Sequence, residues 1–173
     1  LPVDLAWSWE PDIVIAVNIV ASPRQTVRLE SRYARIASAL GRIVPNPLTA
    51  HHNVVHGAAV GILLPHVVRF NAVEPAARLA YAELASAPEI ARVSQGLEPA
   101  VHALIARLES LLNLAGIPRS LSHYGVTPAG IPTLAQEAAR QWTASFNPRS
   151  IQADDFVDLY SAALTPRGDG DAG

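Results

Sequence analysis

Hydrophobic residues recur at helical spacing along most of the chain. The clearest stretch runs from about 54 to 72, where Val60, Leu63, Leu64, Val67, Val68 and Phe70 fall close to one helical face. Gly57 and Gly61 lie four apart on this helix, a spacing that lets a neighbouring backbone approach closely. Pro65 lies inside it and is expected to kink the helix or to leave one carbonyl free. Upstream, Val27, Leu29, Tyr33, Ile36, Ala37 and Leu40 make a ragged stripe over 24–41. Arg24, Arg28, Arg32 and Arg35 give it a solvated face, and Gly41 stops it. Residues 42–53 carry Pro45, Pro47 and the turn candidate Asn53, which reads as a loop or a broken helix.

Glu74-Pro75 opens a shorter helix to about Ala85, with Leu79, Tyr81 and Leu84 turned to the core. Residues 86–96 read as a loop or a short helical turn. Glu98-Pro99 opens the next helix, striped by Val101, Leu104, Ile105, Leu108, Leu111 and Leu112 and ended by Gly116. Thr127-Pro128 and Ile131-Pro132 are two successive starts for a helix predicted to reach about Ser145. Asp154 and Asp155 begin a last one, from Phe156 to Leu164. The β-branched run from Ile13 to Val20, set off by Pro2, Pro11 and Pro23, reads as a short buried strand. The expected fold class is all-α, a helical bundle with short loops and a short N-terminal strand.

Composition narrows the function. The 173 residues are enough for one domain with a real core, and half of them are hydrophobic, which argues against disorder. Net charge is −2, and all 13 basic residues are Arg, scattered without a basic run, so a nucleic-acid partner is not expected. Cys is absent, which removes disulfides and thiolate metal sites. The Ile13–Ala21 run is too short to span a bilayer, and acidic rather than basic residues precede it. No membrane partner and no signal peptide are expected, and the cytoplasm is the default location. The chain opens on Leu1 and contains no Met, which reads as a fragment.

From His56 to Asn71 the chain spells HG-x-A-x-G-x-LLPHV-x-RFN, preceded by Asn46-Pro47-Leu48-Thr49-Ala50. Further on come Gly116-Ile117-Pro118-Arg119-Ser120-Leu121, Gly125-Val126, Ile131-Pro132-Thr133-Leu134-Ala135, Phe146-Asn147-Pro148-Arg149 and Asp154-Asp155-Phe156-Val157-Asp158-Leu159-Tyr160. This ordered set resembles the C-terminal helical domain of the iron-containing, group III metal-dependent alcohol dehydrogenases. The resemblance divides the chain into a divergent segment 1–44, a helical domain of metal-binding type at 45–165 and a flexible tail 166–173. It implies an NAD(P)-dependent interconversion of an alcohol with an aldehyde or ketone. A divalent metal, iron or zinc, would polarise the substrate oxygen from a site of one Asp and three His. It also implies a nucleotide-binding domain ahead of this region. No G-x-G-x-x-G or phosphate loop occurs here, so NAD or NADP is expected only if that domain is supplied.

Residue by residue, the resemblance places the last metal ligand at His56. The ligand fourteen positions earlier falls on Arg42, whose guanidinium cannot coordinate a cation, and Asn46 stands where a catalytic His is often found. Asp4 can be set against the family's Asp ligand, but Ser8 then occupies the position of the next His. His52 and His56 are at i, i+4, which would bring two imidazoles together if the helix begins early; otherwise His51 and His52 lie in an exposed loop. His66 reads as a structural residue beside Pro65, His102 and His123 as surface or core residues, Trp142 as a core aromatic and Asn147-Pro148-Arg149 as a structural turn.

The expectation is a fragment or truncated homologue of such a dehydrogenase, inactive alone, with a small alcohol or aldehyde as substrate. The alternative is a non-catalytic helical module that binds a partner through an exposed apolar face. Homo-oligomerisation fits both.

Overall fold

A computed structural model of the chain describes residues 45–85, 96–141 and 147–165. The readings made on Asp4, Ile13–Val20, the 24–41 stripe, Arg42, Trp142 and the 166–173 tail lie outside these residues. Six α-helices are described: α1 Pro45–His52, α2 His56–Asn71, α3 Pro75–Ala85, α4 Leu97–Leu114, α5 Ile131–Ala139 and α6 Ala153–Leu164. Short 3₁₀ turns at Leu121–Tyr124 and Pro128–Gly130 lie between α4 and α5. No strand occurs among the described residues, and none of their helices is long and apolar enough to cross a membrane.

Helix α2 is the hub. It packs on α4 along one side and on α6 along another, while α3 lies on α4, α5 lies on α6, and α1 bridges α2 and α5. Ala59, Ile62, Leu63, Val67 and Val68 of α2 enter a core with Val101, Leu104 and Ile105 of α4. Phe156, Leu159 and Tyr160 enter it from α6. Deleting a buried ring such as Phe156 would cost about 3–5 kcal/mol at this kind of site.

Of the two readings of 42–53, the broken helix holds over its described part, while two other details, in α3 and α5, differ from the sequence reading. Residues 45–52 are helical because Pro45 and Pro47 both fall in the first turn, where backbone N–H groups have no helical acceptor and proline costs little. The break comes at Asn53, whose positive φ of 51° ends α1 before α2 starts. In α3 the buried face is alanine-rich (Ala77, Ala80, Ala82, Ala85) with Tyr81, and Leu79 and Leu84 are exposed. Leu79 lies two residues past Ala77, about 200° around the helix and so on the opposite face. Helix α5 stops at Ala139, short of Ser145.

Of the two glycines in α2, only Gly61 sits at a close approach. A Cβ there would lie 2.8 Å from Leu112 Cδ2, so the neighbour is an α4 side chain rather than a backbone; nothing lies within 4 Å of Gly57. The helix runs uninterrupted through Pro65, which is buried.

Several recurring motifs act as fasteners. Gly116, at φ 65°, ends α4 with two reversed bonds: Gly116 N–H donates to the Asn113 carbonyl at 3.1 Å and Ile117 N–H to the Leu112 carbonyl at 3.0 Å. Glu109 then receives Arg69 Nη2 from α2 at 2.6 Å and Arg119 Nη2 from the following loop at 2.8 Å. Ser120 caps the first 3₁₀ turn and donates through Oγ to the Leu164 carbonyl at the end of α6, at 2.5 Å. Asp155 accepts the Gln152 N–H at 2.7 Å and so caps α6.

Candidate functional site

His56 is the first residue of α2, reached through the Asn53 break and the Val54-Val55 step. Val55 occupies the N-cap and offers no side-chain bond, so the first N–H groups of α2 lack the usual hydroxyl or carboxylate partner. Nε2 of His56 is buried and has no hydrogen-bond partner. A buried imidazole nitrogen left in this state costs about 1–3 kcal/mol, which marks the position as one held for something other than stability.

The other histidines do not converge on it. His51, on α1, directs Nε2 at both carboxylate oxygens of Glu137 on α5, each at 2.9 Å. Sequence reading missed this pair, because the two residues are 86 positions apart and nothing local signals it. Asn46 Nδ2 donates to Gln141 Oε1 at 3.0 Å along the same α1–α5 seam. His52 is the last residue of α1, and the Asn53 break separates it from His56. The two therefore do not share one continuous helix, and the helical i, i+4 geometry does not apply. His66 is half-buried inside α2, His102 is exposed, and His123 is exposed with its ring edge-on to Tyr124, centroids 5.5 Å apart. No group of three or more His, Cys, Asp or Glu able to hold a metal occurs among the described residues.

At the far end of α2 the geometry is dense and structural. Asn71 is fully buried, and its amide pairs reciprocally with that of Asn147: Asn71 Nδ2 donates to Asn147 Oδ1 at 2.9 Å, and Asn147 Nδ2 donates to Asn71 Oδ1 at 2.8 Å. Asn71 Nδ2 also reaches the Tyr81 hydroxyl at 3.4 Å. Burial pushes the Tyr81 phenol up to about 12, against a smaller opposing pull from Asn71. Asn147 Nδ2 holds the Arg149 carbonyl at 2.7 Å. Arg149 Nη1 donates to the Phe70 carbonyl at 3.1 Å, and its guanidinium lies 3.9 Å above the Phe70 ring. The Tyr160 phenol is also held neutral well beyond its usual range, chiefly by burial and then by the nearby Glu137 charge.

The described residues thus form an all-helical domain in which the buried Nε2 of His56 stands at the start of α2. The sequence model of the Fe-containing alcohol dehydrogenase family, C-terminal, matches residues 27–164, and the chain belongs to that family. It is similar to lactaldehyde reductase of Escherichia coli (strain K12), 34% identical over 131 residues, which cover 76% of this chain and 34% of the relative. It is also similar to 1,3-propanediol dehydrogenase of Citrobacter freundii, 32% identical over 115 residues, covering 65% of this chain and 29% of that one. Among solved structures it superposes on a 1,3-propanediol oxidoreductase with a TM-score of 0.68 at 26% identity, over 74% of this chain and 33% of the other. The chain thus spans about a third of the length of the curated relatives it matches.

The family name implies iron. The unpartnered Nε2 of His56 suits one coordination bond. The remaining described donors do not complete a site, since His51 is taken by Glu137 and no trio of donors forms. The described residues therefore do not fit the metal.

Proposed function

We propose that residues 45–165 form the helical half of an NAD(P)-linked dehydrogenase that interconverts a small alcohol with its aldehyde or ketone. The observation that carries this reading is the buried, unpartnered Nε2 of His56 at the open N-terminus of α2, in a chain that belongs to the iron-type alcohol dehydrogenase family. The small substrate is supported by the printed activities of the relatives, which name lactaldehyde and 1,3-propanediol. In such a reaction the carbinol carbon gives up a hydride to the nicotinamide while the hydroxyl proton departs. The chain's part is to wall one side of the cleft, with His56 at the start of α2 as its candidate polar group.

Nothing in this sequence can cradle a pyrophosphate, so the nicotinamide would be bound by a nucleotide-binding unit supplied from outside these residues. A hydride donor without a phosphate site is held in no fixed orientation, and the orientation term it forfeits is worth several kcal/mol of barrier. The 173-residue chain is accordingly inactive by itself, and a cytoplasmic location follows the family reading.

The test measures oxidation of NADH and NADPH with short aldehydes, with iron or zinc added. The chain is assayed alone and with the nucleotide-binding part of lactaldehyde reductase joined ahead of it. Turnover is expected only in the fusion. Robust turnover by the chain alone would overturn the inactivity claim, and a folded but inert fusion would reduce the domain to a non-catalytic module.

A further inference from the structure

We infer that the residues of this chain do not by themselves retain the family's divalent transition metal: the position of His56 is kept, but too few donors stand around it. The inference rests on the family reading above and concerns the chain's own donors. A site that holds iron or zinc through purification needs three or four converging lone pairs, with imidazole nitrogen or thiolate predominating. This sequence has no Cys and only six His, at 51, 52, 56, 66, 102 and 123. All six lie among the described residues, so no unseen imidazole can join His56 from elsewhere in the chain.

The six are dispersed by the fold. His51 spends Nε2 on Glu137 at 2.9 Å. His66 sits ten residues along α2 from His56, nearly three helical turns away. His102 lies within α4, and His123 stacks edge-on against Tyr124 in the 3₁₀ turn. Only His52 is near in sequence, and the left-handed Asn53 stands between it and His56. Even if both rings faced one ion, no third His, Asp or Glu among the described residues joins them. Any further donor would have to be an oxygen, which moves the preference away from iron and zinc.

The stated chemistry has a direct readout that does not depend on turnover. The full chain is expressed in medium supplemented with iron and zinc, purified without chelator, and its metal content is measured beside His56→Ala and His56→Gln. Cobalt(II) is then titrated as a spectroscopic probe of tetrahedral nitrogen ligation. Below about 0.1 metal per chain is expected in all three proteins, with no cobalt ligand-field band in any of them. Near one metal per chain that is lost in a folded His56 variant would overturn the inference. The glutamine variant preserves side-chain bulk should alanine fail to fold, and circular dichroism checks both. Metal held equally by the variants would also overturn the inference, because the chain would then retain a metal away from His56. Because hydride transfer is read separately in the fusion, metal at His56 sinks this inference alone, and an inert fusion sinks the dehydrogenase reading alone.

Discussion

Removing the Asn147 amide tests whether the end of α2 is clamped as the geometry says. Asn71 is fully buried, and both of its amide atoms depend on Asn147, with bonds of 2.9 and 2.8 Å. In Asn147→Ala, Asn71 Oδ1 loses its donor and Nδ2 keeps only the long 3.4 Å contact to Tyr81. A buried polar group left unsatisfied costs about 1–3 kcal/mol, and the half-buried setting of Asn147 lets water recover part of that. The Arg149 carbonyl loses its 2.7 Å donor as well, loosening the guanidinium held over Phe70. A total loss of about 2–3 kcal/mol follows, equivalent to a fall of roughly 4–12 °C in Tm for a chain of this size. The assay is urea unfolding of the wild type, Asn147→Ala, Asn71→Ala and the double variant, followed by far-ultraviolet circular dichroism. Because the amides satisfy one another, the double variant should cost about 1–2 kcal/mol less than the sum of the singles. Single costs that add to within about 0.5 kcal/mol would show that the two side chains do not act as a pair, and the clamp argument would fail.

Three further outcomes follow from the same packing. Burial raises the Tyr81 phenol from 10 to about 12, so the native state binds that proton more tightly than the unfolded chain; the stabilisation is complete below pH 10 and is lost as pH rises toward 12, by at most about 3 kcal/mol, and Tyr81→Phe should flatten this alkaline loss in urea melts. Gly116→Ala forces a Cβ into the left-handed region at φ 65° and should cost about 1–2 kcal/mol, whereas Gly57→Ala, in open space on the first turn of α2, should be neutral or slightly stabilising. Gly61→Val drives its branch into Leu112, 2.8 Å from the nearest added carbon, and should cost about 1–3 kcal/mol; Leu112→Ala should be less damaging in that background than alone, and equal damage would mean the two do not touch.

How much of this was legible beforehand divides along the range of the interactions. The six described helices were anticipated wherever apolar spacing and end signals agreed, as in α2, α4 and α6, since both signals are local in sequence. Helix α1 was only half legible, because Pro45 and Pro47 read as breakers as readily as first-turn starters and so left a loop and a broken helix both open. The exposure of Leu79 and Leu84 was misjudged because an alanine face packed against α4 buries little area per residue and loses to leucine in any hydrophobic ranking. The His51–Glu137 and Asn71–Asn147 pairs, 86 and 76 residues apart, have no local signature. At the candidate site, the motif singled out His56, but nothing local signalled that Asn53 turns left-handed or that Glu137 pairs with His51.

The distribution of the recurring motifs carries a last step. Most of the residues that make the resemblance dense are fasteners. Asn71 and Asn147 pair their amides, Arg149 covers Phe70, Gly116 ends α4, Arg119 shares Glu109 with Arg69, and Ser120 ties the 3₁₀ turn to the end of α6. His56 stands at the opposite end of α2, fifteen positions from Asn71 in a helix of 16 residues. The core under α2 is built from Ala59, Ile62, Leu63, Val67 and Val68, and the imidazole lends it no hydrogen bond. Scaffold and candidate site are thus separable among the described residues: the clamps draw no hydrogen bond from the His56 Nε2. If His56→Ala lowered stability by as much as Asn147→Ala, the separation would be wrong, because the imidazole would then be part of what holds the helices together. The expected change for His56→Ala is near zero or slightly stabilising, since the substitution removes a buried nitrogen that nothing satisfies.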